Sequence, residues 1–158
     1  MEYRHTQVAY ALITIFSSVL FLLSWQIFAD RDGSGASFAF FVIAVGLLLF
    51  PTLTVEIRNG DLIWKFGLGL IRKKVPLSEV ARAAQIRTGL LHGWGIHRIR
   101  GGWLYNVSGF HAVEVELYSG KKFFLGTDEP EALTRALSLH IAQDRQFSFG
   151  GGSQEDAH

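Results

Sequence analysis

Two long uncharged runs constrain this chain more than any other feature of its sequence. Val8–Phe28 and Ala36–Val55 contain no Asp, Glu, Lys or Arg and consist mainly of apolar residues. At about 1.5 Å of rise per residue, a helix over Val8–Phe28 is roughly 31 Å long, close to the hydrocarbon thickness of a bilayer. The runs therefore predict a two-helix transmembrane hairpin within residues 1–52, with helices at about 8–28 and 36–51. A buried hairpin of a soluble protein is the alternative.

The connection between the two runs predicts the orientation of the hairpin. Ala29–Gly35 is too short to recross a bilayer, so both termini are expected on the same side. The connection carries Asp30, Arg31 and Asp32, whereas the sequence after the second run is rich in Lys and Arg. By the positive-inside rule, we expect a multi-pass protein of the cell inner membrane with both termini in the cytoplasm.

Charge is distributed unevenly along the chain although its formal net charge is only +1. Residues 53–126 contain 11 basic and 5 acidic residues, a net charge of +6, and residues 127–158 carry a net charge of −4. A basic domain held beside a bilayer predicts a surface complementary to anionic groups, with a merely solvated face as the alternative. The chain has no cysteine, which excludes disulfides and thiolate chemistry.

The remainder of the chain, over 53–144, is typical of a β-sheet domain closed by one helix. Apolar and polar residues alternate from Leu53 onward, and Gly-containing turns separate the runs. The run Val80–Thr88 fits either a strand or a short helix. The period then changes to that of an amphipathic helix, with Asp128 and Glu131 spaced as a capping box. One apolar face is expected at Leu133, Ala136, Leu137, His140 and Ile141, and a disordered tail at 145–158.

About seven strands followed by one helix is the element order of a pleckstrin-homology (PH) fold. Three segments resemble the bacterial PH-like domains that follow an N-terminal pair of membrane helices: RKKVPLSEV (Arg72–Val80), GWGIHRIRGGWLYNVSG (Gly93–Gly109) and HAVEVELYSGKKFFLGTDEPEAL (His111–Leu133). The resemblance implies a PH-like barrel of about seven antiparallel strands, in two orthogonal sheets, with the C-terminal helix closing one corner. Most members of that group have no assigned activity, so the resemblance implies fold rather than function.

Two clusters are candidate binding residues. The first is basic and surrounds the turn between the second and third strands: Lys65, Arg72, Lys73 and Lys74. Strand alternation puts Arg72 and Lys74 on one face and Lys73 on the other. The second cluster is aromatic, with Trp94, Trp103, Tyr105 and Phe110, and is interleaved with Arg98 and Arg100. Its candidate binding residues are Trp94, Trp103, Arg98 and Arg100. The aromatic residues fit core packing, an interface with a partner or the membrane, or base stacking, and nucleic acid is the least favoured of these.

Catalytic patterns are weak in this sequence. It lacks a nucleotide-binding loop, a Gly-x-Ser-x-Gly elbow and an HExxH motif, and no cofactor is predicted. His92, His97 and His111 could meet as zinc ligands across neighbouring strands, although coincidence explains them better. The favoured hypothesis is a non-enzymatic, membrane-anchored module that presents a cytoplasmic surface to a protein partner or to itself. Sensing of anionic lipid headgroups is the first alternative, and a metal-dependent enzyme is the second.

Overall fold

The computed structural model describes residues 2–29, 34–89 and 95–150. Two helices lie near the N-terminus and one at the C-terminal end: α1 (Tyr10–Ala29), α2 (Ser34–Leu49) and α3 (Pro130–Gly150). The strands are β1 (Tyr3–Val8), β2 (Thr52–Arg58), β3 (Asp61–Phe66), β4 (Ile71–Pro76), β5 (Val80–Arg87), β6 (Gly95–Ile99), β7 (Gly102–Asn106), β8 (His111–Leu117) and β9 (Lys122–Gly126). Trp94 and His92 lie outside the described residues.

The two apolar runs form helices that pack against each other. By length and composition α1, with 20 residues, is able to cross a membrane, and only 6% of its apolar window is buried, unlike the core helix of a soluble domain. The 16-residue α2 is shorter and begins at Ser34, before the predicted start. Gly46 near the end of α2 faces the ring of Phe16 near the start of α1. The two helices therefore run antiparallel.

A short strand precedes α1, and the sequence analysis missed it. β1 pairs antiparallel with β2 in a register that joins Val8 to Thr52 and Tyr3 to Ile57. At the base of the helices, the Ala9 amide donates to the Pro51 carbonyl at 2.9 Å. β1 thus belongs to the first sheet, whereas the sequence analysis began the domain at residue 53. The run YRHTQV lacks the apolar alternation that would have predicted a strand.

The strands form two sheets. The first has the order β1-β2-β3-β4 and is antiparallel throughout. The second has the order β5-β8-β9-β7-β6 and is mixed, because β7 and β9 are parallel. The ambiguous run at Val80 is a strand, and the mainly-β class is confirmed. The described residues contain nine strands rather than about seven, and the closed barrel stays a prediction.

A glycine permits the parallel pairing. A Cβ on Gly102 would lie 2.0 Å from the carbonyl oxygen of Lys122, its register partner on β9. No side chain larger than hydrogen fits there without separating the strands. Gly102 thus holds the β6–β7 turn against β9.

One hydrophobic core joins the two sheets, α3 and the domain-facing ends of α1 and α2. Leu53, Val55 and Ile57 of β2 belong to the same buried cluster as Leu137 of α3. Ala9 is fully buried and Leu12 is nearly so, and both belong to the same cluster. α3 packs on β5 and β8. The helix extends to Gly150, into the segment 145–158 that the sequence analysis assigned to a disordered tail.

The start of α3 is tied to β1. His5 contacts the Asp128 carboxylate through Nε2 and the Glu129 carboxylate through Nδ1, the latter at 3.3 Å. At the predicted capping box, Asp128 bonds His5, and the Thr127 hydroxyl accepts the Glu129 amide at 3.0 Å. Pro130 occupies the first helical position, as expected. β1, close to the N-terminus, is thus joined to the start of α3.

Removing the α3 side chain at the centre of the core should destabilise the protein. Leu137 is fully buried, so Leu137→Ala should lower the free energy of unfolding by about 2–5 kcal/mol. Leu139 on the same helix is 45% exposed, and Leu139→Ala should change it by less than about 0.5 kcal/mol. Chemical denaturation of the full-length protein in detergent micelles measures both. Equal effects of the two substitutions would contradict the packing of α3 described above.

Tyr3 should make the fold sensitive to alkali. Burial, together with the carboxylates of Glu129 and Asp128, raises the pKa of Tyr3 from 10.0 to about 12. The folded state therefore keeps a proton that the unfolded chain loses, and stability should fall as pH rises from about 10 to 12. Tyr3→Phe should remove this part of the decline. Denaturation of both proteins at pH 8 and pH 11 checks it, and parallel losses would contradict the assignment.

Candidate functional site

A cleft of about 720 Å³ opens between the two sheets along the outer strand β4. Its other wall is formed by the β6–β7 hairpin and by the turn between β8 and β9. Three kinds of side chain line it: aromatic (Trp64, Trp103, Tyr105, Phe123), basic (Lys73, Lys74, Arg98, Lys121, Lys122) and aliphatic (Val75, Ile99, Leu117). No carboxylate lines the cleft in the described part of the chain.

The floor of the cleft is aromatic. Trp64 stacks on Phe123 with ring centroids 4.8 Å apart, and Tyr105 meets Trp64 edge-on at 5.2 Å. All three rings are more than nine-tenths buried. The indole Nε1–H of Trp64 is buried and has no hydrogen-bond acceptor within the described residues. The floor therefore combines a rigid apolar surface with one unused donor.

Lys73 lies where the strand pattern calls for an apolar residue. The register pairs it with Trp64, between Ile71 opposite Phe66 and Val75 opposite Leu62. Its Nζ lies 5.8 Å from the centroid of the Tyr105 ring, within the range of a cation–π contact. The inward face of β4 thus carries a cation at the mouth of the aromatic floor.

The five basic side chains differ in whether they have anionic partners. Lys122 Nζ lies 2.9 Å from Glu114 and 3.3 Å from Glu116, and hydrogen bonds to these carboxylates raise the pKa of Lys122 above its ordinary value. Lys74 lies 2.9 Å from Asp61. Within the ranges that the structure describes, no carboxylate pairs with the exposed side chains of Lys73, Arg98 and Lys121. These three cations are available to an external anion.

The structure brings together half of the predicted binding residues. Lys73, Lys74, Arg98 and Trp103 line the cleft. The two predicted clusters, distant in sequence, therefore meet at one site.

The other predicted residues lie elsewhere. Lys65 and Arg72 face each other across β3 and β4, outside the cleft lining. Arg100 lies in the β6–β7 turn and does not line the cleft. Trp94 lies outside the described residues, so its role stays a prediction.

Sequence reasoning missed Lys121 and Lys122 and two rings of the aromatic floor, Trp64 and Phe123, although it placed Tyr105 in the aromatic cluster. The two lysines follow the Ser119–Gly120 turn. The sequence predicts this turn, but it does not show which residues lie beside the turn in the folded protein. Trp64 fits an alternating strand and is expected in any core. One signal was available: Lys73 interrupts the apolar alternation of Ile71 and Val75, and a charge on an inward face often marks a site.

The histidines form no metal site in the residues that the structure describes. No group of three His, Asp or Glu side chains there has a metal-binding arrangement. His97 lies in the middle of β6 and His111 begins β8, two strands that are not neighbours in the sheet. The third residue of the suggested zinc set, His92, lies outside the described residues, so that alternative stays untested.

Comparisons with known proteins add no family to this description. No protein-family model matches the chain, and neither a curated protein nor a solved structure does. The geometry of the cleft is therefore the basis for the function proposed next.

Proposed function

We propose that this protein is a membrane-anchored, non-enzymatic binding module whose basic cleft holds an acidic segment of a protein partner. The observation that carries the proposal is the meeting of Lys73, Arg98 and Lys121 around an aromatic floor, with no carboxylate partner among the described residues. Cations without internal partners favour an anionic ligand, and the rings supply the apolar contact that a peptide offers.

Structural features support a membrane hairpin with both ends on one side of the bilayer, and the excess of Lys and Arg in residues 53–126 favours the cytoplasmic side. Large apolar side chains of both helices are exposed, including Phe21, Trp25, Phe38 and Phe41. In water such a surface would promote aggregation, whereas in a bilayer it meets lipid. The β1–β2 pairing supports a hairpin, since it holds the start of α1 beside the end of α2. At about 24 Å, α2 is shorter than a bilayer is thick, and local thinning of the bilayer would accommodate it.

The position of the cleft favours a partner protein over a headgroup of the same bilayer. β4 begins at Ile71, beside the helix bases, and the cleft is lined from Lys73 to Val75. At about 3.3 Å per residue, those positions lie roughly 7–13 Å farther along the strand. The cleft thus begins near the lipid surface at Lys73 and extends away from it, and a cytoplasmic segment reaches the far part most directly.

The membrane itself would strengthen a weak contact. Exposed ion pairs contribute only about 0.2–1 kcal/mol each, so an acidic segment alone would bind modestly. If the partner, or a second copy of this chain, is also membrane-bound, restriction to one surface raises its effective concentration. A binding module of this kind needs no catalytic group, in agreement with the weak catalytic patterns of the sequence.

The hairpin topology is tested by labelling single cysteines in the cysteine-free chain. In intact cells, an impermeant thiol reagent should label Gly35→Cys, at the start of α2, because that end should face outward. No atom lies within 4 Å of a Cβ built at Gly35, so the substitution should be tolerated. Ser78→Cys, exposed beyond β4, should react only after permeabilisation. The reverse pattern would contradict the orientation, and labelling of both sites or of neither in intact cells would contradict the hairpin.

The ligand assignment is tested with the full-length protein in nanodiscs and a fluorescent hexaglutamate peptide. The double variant Lys73→Gln/Lys121→Gln should bind the peptide about tenfold more weakly, since two charges at about 0.7 kcal/mol each amount to 1.4 kcal/mol. The control Arg58→Gln/Arg87→Gln removes the same charge from exposed positions outside the cleft and should match the parent.

Equal affinities in the cleft and control variants would contradict the assignment. A short-chain phosphatidylglycerol provides the other arm of the experiment. The headgroup alternative replaces the proposal if three results coincide. The lipid binds the parent protein, the cleft variant no longer binds the lipid, and the peptide does not bind the parent.

A further inference from the structure

The turn between β3 and β4, Gly67–Leu70, lies against the last turn of α2. The Gly67 amide donates to the Thr52 carbonyl at 2.9 Å. A Cβ on Gly67 would fall 2.7 Å from the carbonyl oxygen of Leu48 and 2.6 Å from that of Leu49. Because β3 runs back toward the helices, the turn reaches the level at which α2 ends.

This turn exposes two large apolar side chains. Leu68 is 73% exposed and Leu70 is 74% exposed. These are the most exposed leucines among the described residues, and both exceed Leu48 of α2, at 53%. Glycines at 67 and 69 adopt positive φ, which lets the tight turn direct both leucines away from the core. An apolar tip with about three-quarters of its leucine side-chain surface exposed needs another environment.

Two cations border the same turn. Lys65 and Arg72 are register partners, at the positions just behind the tip. The Cδ of Lys65 lies 3.7 Å from a Cβ built on Gly69, so its aliphatic stem follows the turn. The turn carries leucines, and the strands that flank it carry Lys65 and Arg72. This order matches a bilayer, whose interior is apolar and whose surface carries anionic phosphates.

We propose that the Gly67–Leu70 turn inserts Leu68 and Leu70 into the bilayer beside α2, with Lys65 and Arg72 at the level of the lipid phosphates. This proposal rests on the membrane anchoring proposed above. The turn acts as a third attachment point next to the hairpin and fixes the tilt of the domain, and hence the height of the cleft. The predicted basic cluster is thereby divided: Lys73 and Lys74 serve the cleft, whereas Lys65 and Arg72 serve the membrane.

The absence of cysteine allows a direct test of depth. Single-cysteine variants Leu68→Cys and Leu70→Cys carry an environment-sensitive fluorophore in full-length protein, reconstituted in phosphatidylcholine–phosphatidylglycerol vesicles. Two further positions calibrate the measurement: Phe21→Cys on the lipid-exposed face of α1, and Leu139→Cys on the exposed face of α3. Quenching is measured with lipids that carry a nitroxide near the top of the acyl chain.

The labels at 68 and 70 should shift their emission to the blue and be quenched by the nitroxide lipid, whereas the label at 139 should do neither. If label 21 is quenched and labels 68 and 70 are not, the turn does not insert, although the anchoring stands. A blue shift without quenching by lipid would mean that the leucines contact protein, and would also overturn the proposal. If label 21 is not quenched either, the membrane anchoring itself fails.

Discussion

The pairing of β1 with β2 across the base of the helical hairpin is the interaction on which the rest of the structure depends. The chain leaves the first sheet through α1 and returns through α2 to the neighbouring strand, and the Ala9–Pro51 hydrogen bond closes the base. Ala9 and Leu12 then continue the core of the domain into the first turn of α1. Hairpin and domain consequently fold around a single hydrophobic cluster, and a fragment that starts at residue 53 would expose β2.

This continuity gives the two ends of the molecule different roles. The Gly67–Leu70 turn between β3 and β4 lies beside the end of α2, whereas the cleft begins farther along β4. α3 covers β5 and β8, away from the outer edge of β4, so that edge stays open. The fold thus leaves the β4 side of the cleft uncovered, while α3 covers β5 and β8. A rigid link to the membrane would hold the cleft at a constant height above the lipid.

Local patterns in the sequence predicted most of the strands and the helices. The alternation from Leu53 to Leu125 and the amphipathic face around Leu137 are local signals, and both are confirmed in the structure. β1 was not predictable in the same way, because a polar run becomes a strand only through its partner β2. The parallel pairing of β7 with β9 likewise depends on contacts between distant parts of the chain, and it is possible because Gly102 has no side chain. For the same reason the cleft was half predicted: Lys73 and Arg98 were candidates, but their convergence with Lys121 depends on how the sheets meet.

The indole resonances of the four tryptophans give the most direct measurement of whether the cleft is a ligand site. In full-length, ¹⁵N-labelled protein in nanodiscs, each indole N–H gives one signal, assignable by single Trp→Phe variants. If the cleft binds an acidic segment, a titrated acidic peptide should shift the signals of Trp64 and Trp103, which line the cleft. The signal of Trp25 in α1 should stay unchanged. Unchanged Trp64 and Trp103 signals at saturating peptide, or a shift confined to Trp25, would contradict binding in the cleft.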